Sequence, residues 1–409
     1  MLGQVAAPQP NASSFIPHRC TLHWLEPPPA QTRRLSRSQT QQRQASCNAS
    51  SSNTVQAAAA TAERPSKQQV NLQWDQLGFG LNHVAPVMYH AEWAHGMGWK
   101  GELRPYEPLR LLPSAQCLNY GQAVFEGLKA QRTARGRIAL FRPDQNAARM
   151  AAGADRLCMA EPPAELFLEA VESVVRENSQ WVPPQGKGSL YLRPLLLGSG
   201  PILGLGPAPA YTLVVFAAAV GAYFKGGQLT PIDLIVEERF HRAAPGGMGG
   251  TKAAGNYSPV LKTQLKAKQD GFADVVYLDA KHDKYLEEVS SCNMFMVKGK
   301  TLSTPPLEGT ILPGVTRKSV MQLAEVRGYT VEERPIEVEE AMEADEIFTS
   351  GTAVVVCSVG SLQYRGNRRK FGPTEGSEPG PVALEIYNAL TRLQLEEEED
   401  PFGWVHPVC

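Results

Sequence analysis

The spacing of apolar and polar residues predicts several strands along the 409-residue chain. Short apolar or alternating runs bounded by turn-forming residues are typical of strands. Such runs occupy residues 138–142, 189–198, 211–220, 232–236 and 274–279. In the second run only Tyr191 and Arg193 interrupt the apolar residues, which indicates a strand buried on both faces. A buried arginine must be paired with an anion or must await one.

A helix is predicted where apolar residues recur at helical spacing after the first strand. Pro143 begins this helix, because proline is favoured in the first turn. Met150, Ala154 and Leu157 then fall on one side and form its buried stripe. We expect the helix to continue to Met159.

A second helix is predicted after Pro313, where apolar positions recur from residue 320 onward. The first backbone N–H groups of a helix have no partner within the helix, so they can bind an anion. Gly314, Val315 and Thr316 are therefore candidates to hold a phosphate.

Length and composition divide the chain into an extension and two globular domains. A chain of 409 residues exceeds one typical domain. Residues 1–65 differ from the rest, because Glu26 is the only acidic residue before Glu63 whereas arginine, serine and glutamine are frequent. Such a leader is typical of a disordered transit peptide for an organelle, and it lacks the apolar core of a secretory signal. The alternative is a disordered tail without a targeting role.

Composition also excludes several classes of function. The net charge is −1 and the pI is near 6.7, so there is no overall basic field to attract nucleic acid. Seven widely spaced cysteines without a C-x-x-C pair indicate neither a metal site nor a disulfide framework. The longest apolar run, residues 211–224, is too short to cross a membrane. These features favour a protein of a reducing compartment that acts on small molecules.

The candidate chemistry centres on a glycine-rich segment, residues 245–261, in which Lys252 is the only cation. Its five glycines leave the lysine amine without competing side chains and permit unusual backbone conformations. One alternative is a mobile surface loop. A second is a phosphate-binding P-loop, but that motif requires G-K-[ST], whereas Thr251 precedes this lysine and Ala253 follows it.

Residues 249–259, G-G-T-K-A-A-G-N-Y-S-P, resemble the cofactor-lysine segment of branched-chain-amino-acid aminotransferases. These are fold-type-IV enzymes that use pyridoxal 5'-phosphate (PLP). Further family strings follow the same order along the chain, namely F-R-P-x-x-N-x-x-R-M at 141–150, Y-x-R-P at 191–194 and E-V-x-[ST]-x-N at 288–293. The resemblance covers roughly residues 70–409.

The resemblance implies a mixed α/β (α+β) fold of two domains. The expected parts are a small α/β domain at 70–225, a linker at 226–238 and a larger PLP-binding pseudo-barrel domain at 239–409. It also implies a homodimer. Because such enzymes of photosynthetic eukaryotes are commonly plastid proteins, we expect a chloroplast location, with the mitochondrion as the alternative.

The resemblance also implies cofactor-binding roles for individual residues. Lys252 matches the catalytic lysine that links covalently to PLP, and Tyr257 matches the tyrosine that bonds its phenolate oxygen. Arg149 matches the arginine that holds the phosphate, a task suited to its fork of donors. Glu288 matches the carboxylate that keeps the pyridine nitrogen protonated. The other expected cofactor-binding residues are Ser291, Val315, Thr316 and Thr352.

Five residues match substrate-binding positions of the family. Tyr120, Phe125 and Tyr191 would line the pocket with aromatic walls. Arg193 would bind the side-chain carboxylate of glutamate, and the Ala353 N–H would meet the substrate carboxylate. One pocket would then serve leucine through carbon contacts and glutamate through the guanidinium.

The expected activity is the reversible transfer of an amino group between L-leucine, L-isoleucine or L-valine and 2-oxoglutarate, giving branched 2-oxo acids and L-glutamate. The partners are therefore small molecules, without nucleic acid or membrane. Rivals within the fold type are a D-amino-acid aminotransferase and an aminodeoxychorismate lyase. Rivals of another class are an inactive PLP-binding regulatory protein and a nucleotide-binding module that uses the glycine-rich loop.

Overall fold

The structure is a computed structural model that describes residues 72–224, 228–374 and 376–409. The predicted transit peptide, residues 1–65, lies outside these ranges. The strands are β1 (Val87–Ala94), β2 (Gly98–Pro105), β3 (Ala123–Phe125), β4 (Leu128–Arg132), β5 (Ile138–Phe141), β6 (Ser189–Gly198), β7 (Ala210–Val220), β8 (Ile232–Glu237), β9 (Asp274–Leu278), β10 (Leu286–Val289), β11 (Asn293–Lys298), β12 (Thr301–Thr304), β13 (Thr330–Glu333), β14 (Glu346–Gly351), β15 (Val355–Tyr364), β16 (Asn367–Lys370) and β17 (Val405–Pro407). The helices are α1 (Gln116–Tyr120), α2 (Pro143–Arg156), α3 (Ala164–Glu177), α4 (Leu261–Gln269), α5 (Val315–Val326), α6 (Val338–Met342) and α7 (Pro381–Gln394).

The first sheet is antiparallel and has the order β17-β5-β4-β6-β7-β1-β2, with β3 also paired to β6. Helices α2 and α3 supply apolar side chains such as Met150 and Phe167 to one core with β6 and β7. The central strand β6 contributes Leu190, Leu192 and Leu196 to this core, as expected of an interior strand. The last strand of the chain, β17, completes the edge beside β5.

The second sheet closes on itself. Its strands follow the order β10-β9-β8-β15-β14-β11, and a further pairing between β10 and β11 joins the two ends into a six-stranded barrel. Strands β12 and β13 extend from β11, and β16 lies beside β15. Helices α5 and α7 pack against β14 and β15 through a separate apolar core. The expected mixed α/β fold with a pseudo-barrel is confirmed.

Pro194 shapes the first sheet near the site. A proline has no N–H to donate within a strand. Strand β6 pairs with β4 before this residue and with β3 after it, and between them the Glu126 N–H donates to the Pro194 carbonyl oxygen at 2.8 Å. A Cβ on the next residue, Gly127, would lie 2.1 Å from the Tyr191 hydroxyl. A glycine is thus required where the two strands exchange, and Glu126 and Tyr191 are brought together there.

The strands predicted from apolar runs are all present, as β5, β6, β7, β8 and β9. The prediction that α2 continues to Met159 is wrong, since the helix ends at Arg156 and Cys158 has a φ of 53°, outside the right-handed helical region. The predicted domain boundaries stay a prediction. Strand β8 lies within the proposed linker and pairs in the second sheet.

Within the described ranges, no helix combines the length and apolar character needed to span a membrane. In the same part of the chain, no three His, Cys, Asp or Glu side chains form a group that could hold a metal ion.

Candidate active site

The glycine-rich segment before Lys252 is packed against residues 309–310. A Cβ on Gly249 would lie 2.0 Å from the Thr310 carbonyl oxygen, and the Gly250 N–H donates to the Gly309 carbonyl oxygen at 2.8 Å. These contacts argue against a mobile surface loop. A three-residue turn of 3-10 helix, Ala254–Asn256, follows the lysine, whereas a P-loop leads into a long helix. The segment therefore presents Lys252 from a fixed backbone.

The Lys252 amine lies among aromatic rings. Its Nζ is 4.6 Å from the centroid of the Phe125 ring and donates a hydrogen bond to the Tyr257 hydroxyl at 3.3 Å. Burial lowers the pKa of Lys252 to about 8, and the Arg149 and Arg193 cations lower it too, although nearby carboxylates oppose them. A substantial fraction of this amine is therefore neutral near pH 8. Burial also raises the pKa of Tyr257 to about 12, so its hydroxyl keeps its proton.

Glu126, which sequence reasoning missed, holds Arg149 in place. Its buried carboxylate accepts from Arg149 Nε at 2.7 Å, from Arg149 Nη2 at 2.8 Å and from Asn146 Nδ2 at 2.7 Å. Arg149 and Asn146 lie one turn apart on α2, and Arg149 Nη1 also donates to the Pro313 carbonyl oxygen at 3.1 Å. Despite burial, the Arg149 cation holds the pKa of Glu126 below its usual range. A glutamate within an apolar run was the signal that could have revealed this pair.

Glu288 lies on β10 and is fixed by groups from three other segments. The Arg242 guanidinium pairs with its Oε1 at 2.7 Å, the Leu312 N–H donates to Oε1 at 3.0 Å, and Asn293 Nδ2 donates to Oε2 at 3.3 Å. Burial raises the pKa of Glu288 to about 7, although Arg242 and the Leu312 amide favour its charged form. Arg242 was also missed from the sequence. The arrangement gives Glu288 one orientation and a pKa close to neutrality.

Glu287 is buried as well, with a pKa raised by burial. Its side chain therefore does not face solvent. Both glutamates of β10 lie inside the protein because the strand belongs to the closed barrel.

The predicted phosphate-binding residues lie on two segments. Val315 and Thr316 form the first turn of α5, whose N-cap, Gly314, provides no side-chain cap. A Cβ at Gly314 would lie 2.1 Å from Asn293 Oδ1, so the close approach requires glycine. Thr352 lies in the turn between β14 and β15, and it lines one small cavity together with Val315 and Thr316. The structure thus brings these three residues together.

Ser291 lies elsewhere, exposed in the turn between β10 and β11. Ala353 is the central residue of the turn between β14 and β15, next to Thr352.

The predicted substrate residues Phe125, Tyr191 and Arg193 form one aromatic and cationic group. The Arg193 guanidinium carbon lies 5.0 Å from the Phe125 ring centroid and 5.5 Å from that of Tyr191. Arg193 Nη2 donates to the Tyr191 hydroxyl at 3.4 Å, but the buried Arg193 Nε has no hydrogen-bond partner among the described residues. This orphaned donor is suited to an incoming anion.

Tyr120 is not part of this group. It lies on α1, 51% exposed, where its hydroxyl donates to the Leu203 carbonyl oxygen at 3.4 Å.

A cavity of about 540 Å³ opens beside the lysine, with Arg149, Lys252, Gly314 and Val315 in its lining. This volume is typical of small-molecule sites. A groove of about 530 Å³ lies over β1 and β2, and its lining contains none of the predicted site residues. The groups near the Lys252 amine fit PLP: the amine itself for the carbonyl carbon, the Glu288 carboxylate for the ring nitrogen, and Arg149 with the uncapped N-terminus of α5 for the phosphate.

Comparison with known proteins agrees with this geometry. The model of the family described as Amino-transferase class IV matches residues 123–362. Branched-chain amino acid aminotransferase 2, chloroplastic, of Humulus lupulus is 50% identical over 359 residues, which cover 88% of this chain and 85% of the relative. The chain belongs to the class IV branched-chain aminotransferases. Branched-chain-amino-acid aminotransferase 3, chloroplastic, of Arabidopsis thaliana is 51% identical over 360 residues, covering 88% of this aminotransferase and 84% of the relative.

Solved structures of such aminotransferases share the fold. The branched-chain amino acid aminotransferase of Escherichia coli is 29% identical with a TM-score of 0.69, and the match covers 80% of this chain and all of the other. The T.th. branched-chain amino acid aminotransferase with pyridoxamine 5'-phosphate is 27% identical, also with a TM-score of 0.69, and the match covers 80% and 99% of the two chains.

The predictions of the family, the fold class, the PLP cofactor, the branched-chain transaminase activity and the chloroplast location are thereby confirmed. The substrates of this aminotransferase are small amino acids and oxo acids.

Proposed function

We propose that the enzyme exchanges amino groups between L-leucine, L-isoleucine or L-valine and 2-oxoglutarate, with Lys252 as the catalytic residue. The observation that carries this assignment is the environment of the Lys252 amine, held between the Phe125 ring and the Tyr257 hydroxyl with a pKa lowered to about 8. An amine with such a pKa can both take and return a proton at physiological pH. We assign to Lys252 Nζ the transfer of the proton on the Cα of the amino acid.

PLP, when bound, supplies a carbonyl carbon that captures the amine and a ring that accepts electrons from Cα. The neighbouring side chains orient that ring. Glu288, fixed by Arg242 and the Leu312 amide, would face the ring nitrogen, and the Tyr257 hydroxyl would face the phenolate oxygen. Because Glu288 has one orientation, it holds a proton at one defined position.

The phosphate would be held by one cation and by uncharged donors. Arg149, paired to Glu126, supplies the cation. The N–H groups of Val315 and Thr316 at the start of α5, together with Thr352, supply uncharged donors. Ser291 keeps the hydroxyl of its family position but stands exposed in a turn.

The group formed by Phe125, Tyr191 and Arg193 would receive the substrate side chain. The rings offer apolar contact to a branched aliphatic chain. The unpartnered Arg193 Nε offers a donor to the side-chain carboxylate of glutamate or 2-oxoglutarate. The Ala353 N–H would bind the substrate α-carboxylate. One pocket would then accept both members of the substrate pair.

The test is formation of L-glutamate from L-leucine and 2-oxoglutarate by the purified enzyme supplied with PLP. Lys252→Ala should abolish this turnover without unfolding the protein, because the loop backbone is fixed by its packing against residues 309–310. Lys262→Ala, at an exposed lysine on α4, is the matched control and should retain full activity. Full activity in Lys252→Ala, or turnover of D-alanine in preference to L-leucine, would refute the proposal.

We also propose that the enzyme is a homodimer. Leu203 and Leu205 are 91% and 88% exposed, and Tyr120 stands beside them through its bond to Leu203. Exposed apolar side chains grouped in this way are typical of an interaction surface. Light scattering should give twice the mass of one chain, and a monomer at micromolar concentration would contradict the proposal.

A further inference from the structure

Lys129 is a lysine of the first sheet that bonds to the second. It lies on β4, and its Nζ donates a hydrogen bond to the Ala353 carbonyl oxygen at 2.7 Å across 224 positions of sequence. Among the described residues no carboxylate contributes to the electrostatic surroundings of this ammonium group. Burial alone lowers the pKa of Lys129 to about 8. A partly buried cation without a counter-charge calls for an explanation beyond packing.

The segment that Lys129 holds is a tight and strained turn. Strands β14 and β15 pair as far as Gly351 and Val355, so only Thr352, Ala353 and Val354 connect them. Val355 has a φ of 61°, a left-handed conformation that is costly for a β-branched residue. Such a conformation persists only where surrounding contacts maintain it. The hydrogen bond from Lys129 is one such contact.

The ammonium group also lies next to the proposed anion sites. Lys129, Thr316 and Thr352 line the same small cavity of about 30 Å³. A positive charge at this position favours anions bound by the N–H groups of the turn and of α5.

We propose that Lys129 is a positioning residue: it fixes the turn between β14 and β15 so that the Ala353 N–H meets the substrate carboxylate, and its charge strengthens that contact. The inference rests on the proposed function, because it assumes that this turn receives the α-carboxylate. Lys129 acts through the turn and does not itself react.

The test separates carboxylate binding from binding of the branched side chain. The probes are 4-methylvaleric acid and its neutral amide, titrated into the PLP-loaded enzyme by calorimetry. Lys129→Met keeps a similar length and apolar stem but removes the ammonium group. It should weaken binding of the acid roughly tenfold, the loss expected when a hydrogen bond that supports the binding turn and a nearby positive charge are both removed. Binding of the amide should change little, and Lys129→Arg should restore most of the affinity for the acid.

Two results would overturn the inference. Unchanged affinity of Lys129→Met for the acid would show that the turn needs no support from this lysine. An equal loss for acid and amide would show a general structural role. An inactive wild-type enzyme with L-leucine would instead refute the proposed function, so the two failures are distinguishable.

A pH titration keeps the inference testable even where Lys129→Met does not fold. The wild-type enzyme should lose affinity for the acid as the pH rises through about 8, where Lys129 loses its proton. Lys252 has a similar pKa, but its contribution is common to the wild type and Lys129→Arg. Lys129→Arg keeps its charge and should lose less affinity over the same interval. Identical pH profiles of the wild type and Lys129→Arg would overturn the proposed role of the charge.

Discussion

Replacement of Glu126 by glutamine should destabilise the protein more than any exposed charge change. The Glu126 carboxylate is fully buried and accepts four hydrogen bonds, two from Arg149, one from Asn146 and one from the Gly127 N–H. Glutamine has nearly the same shape as glutamate but carries no charge. Its amide NH₂ would replace one carboxylate oxygen, so a donor would stand where the neighbouring N–H groups need an acceptor. Arg149 would then remain as a buried cation with at most one hydrogen bond to residue 126.

The magnitude follows from the loss of one partner of a buried ion pair. Removal of one partner typically lowers the free energy of unfolding by about 3–5 kcal/mol. Because one hydrogen bond to Arg149 remains, we expect Glu126→Gln to lower it by about 3 kcal/mol. For a domain of this size, that loss corresponds to a decrease in Tm of about 5–10 °C. Differential scanning fluorimetry of the apoprotein measures it. Addition of PLP should reduce the difference, because the cofactor phosphate offers Arg149 a new partner.

Glu92→Gln is the matched control, because this glutamate on β1 is largely exposed and its ion-pair partner in the described part of the chain is His90, at 3.9 Å. Its Tm should change by less than about 2 °C. The reasoning would be refuted by a Tm of Glu126→Gln within the same range.

The effect of Glu126 should also depend on pH in a definite direction. Its pKa is lowered in the folded state, so the ionised carboxylate stabilises the protein above its ordinary pKa of 4.5, and this contribution is lost as the pH falls through the folded value. The difference in Tm between the wild type and Glu126→Gln should therefore shrink in acid. A difference that grew on acidification would contradict the ion pair.

Further predictions concern the chemistry. Glu288→Gln should lower kcat on the order of a hundredfold while Glu287→Gln retains most activity, and equal losses in stopped assays of glutamate formation would count against the assignment of Glu288 to the ring nitrogen. Gly127→Ala would place a methyl group 2.1 Å from the Tyr191 hydroxyl, so the KM for L-leucine should rise, and an unchanged KM would show that Tyr191 does not line the pocket. Uptake of PLP by the apoprotein, followed by absorbance, should accelerate as the pH rises through about 8, since the neutral Lys252 amine is the reactive form, and a flat profile would contradict this.

Much of the fold was predictable because it depends on local patterns. The interior strand β6 and the buried stripe of α2 follow from apolar spacing alone. The roles of Lys252 and Glu288 were predicted from short motifs that resemble the cofactor-binding motifs of the aminotransferase family. The error at the end of α2 reflects backbone geometry at Cys158, which no periodicity reveals.

The groups that support the site were not predicted, because their partners are distant in sequence. Glu126 and Arg149 are 23 positions apart, and Lys129 and Ala353 are 224 apart. Only the assembled sheets bring them together. The exposure of Tyr120 has the same origin, since a motif identifies the residue but not the direction in which α1 presents it.

The closure of the barrel has a consequence for cofactor binding. A single residue pair, Glu288 with Asn293, closes the seam between β10 and β11. The residue whose carboxylate is assigned to the cofactor ring is thus also the residue of β10 that pairs with β11. A shift of this pairing by one residue would turn the Glu288 side chain to the other face of the sheet. Only molecules whose barrel has closed in the correct register would then bind the vitamin-derived cofactor.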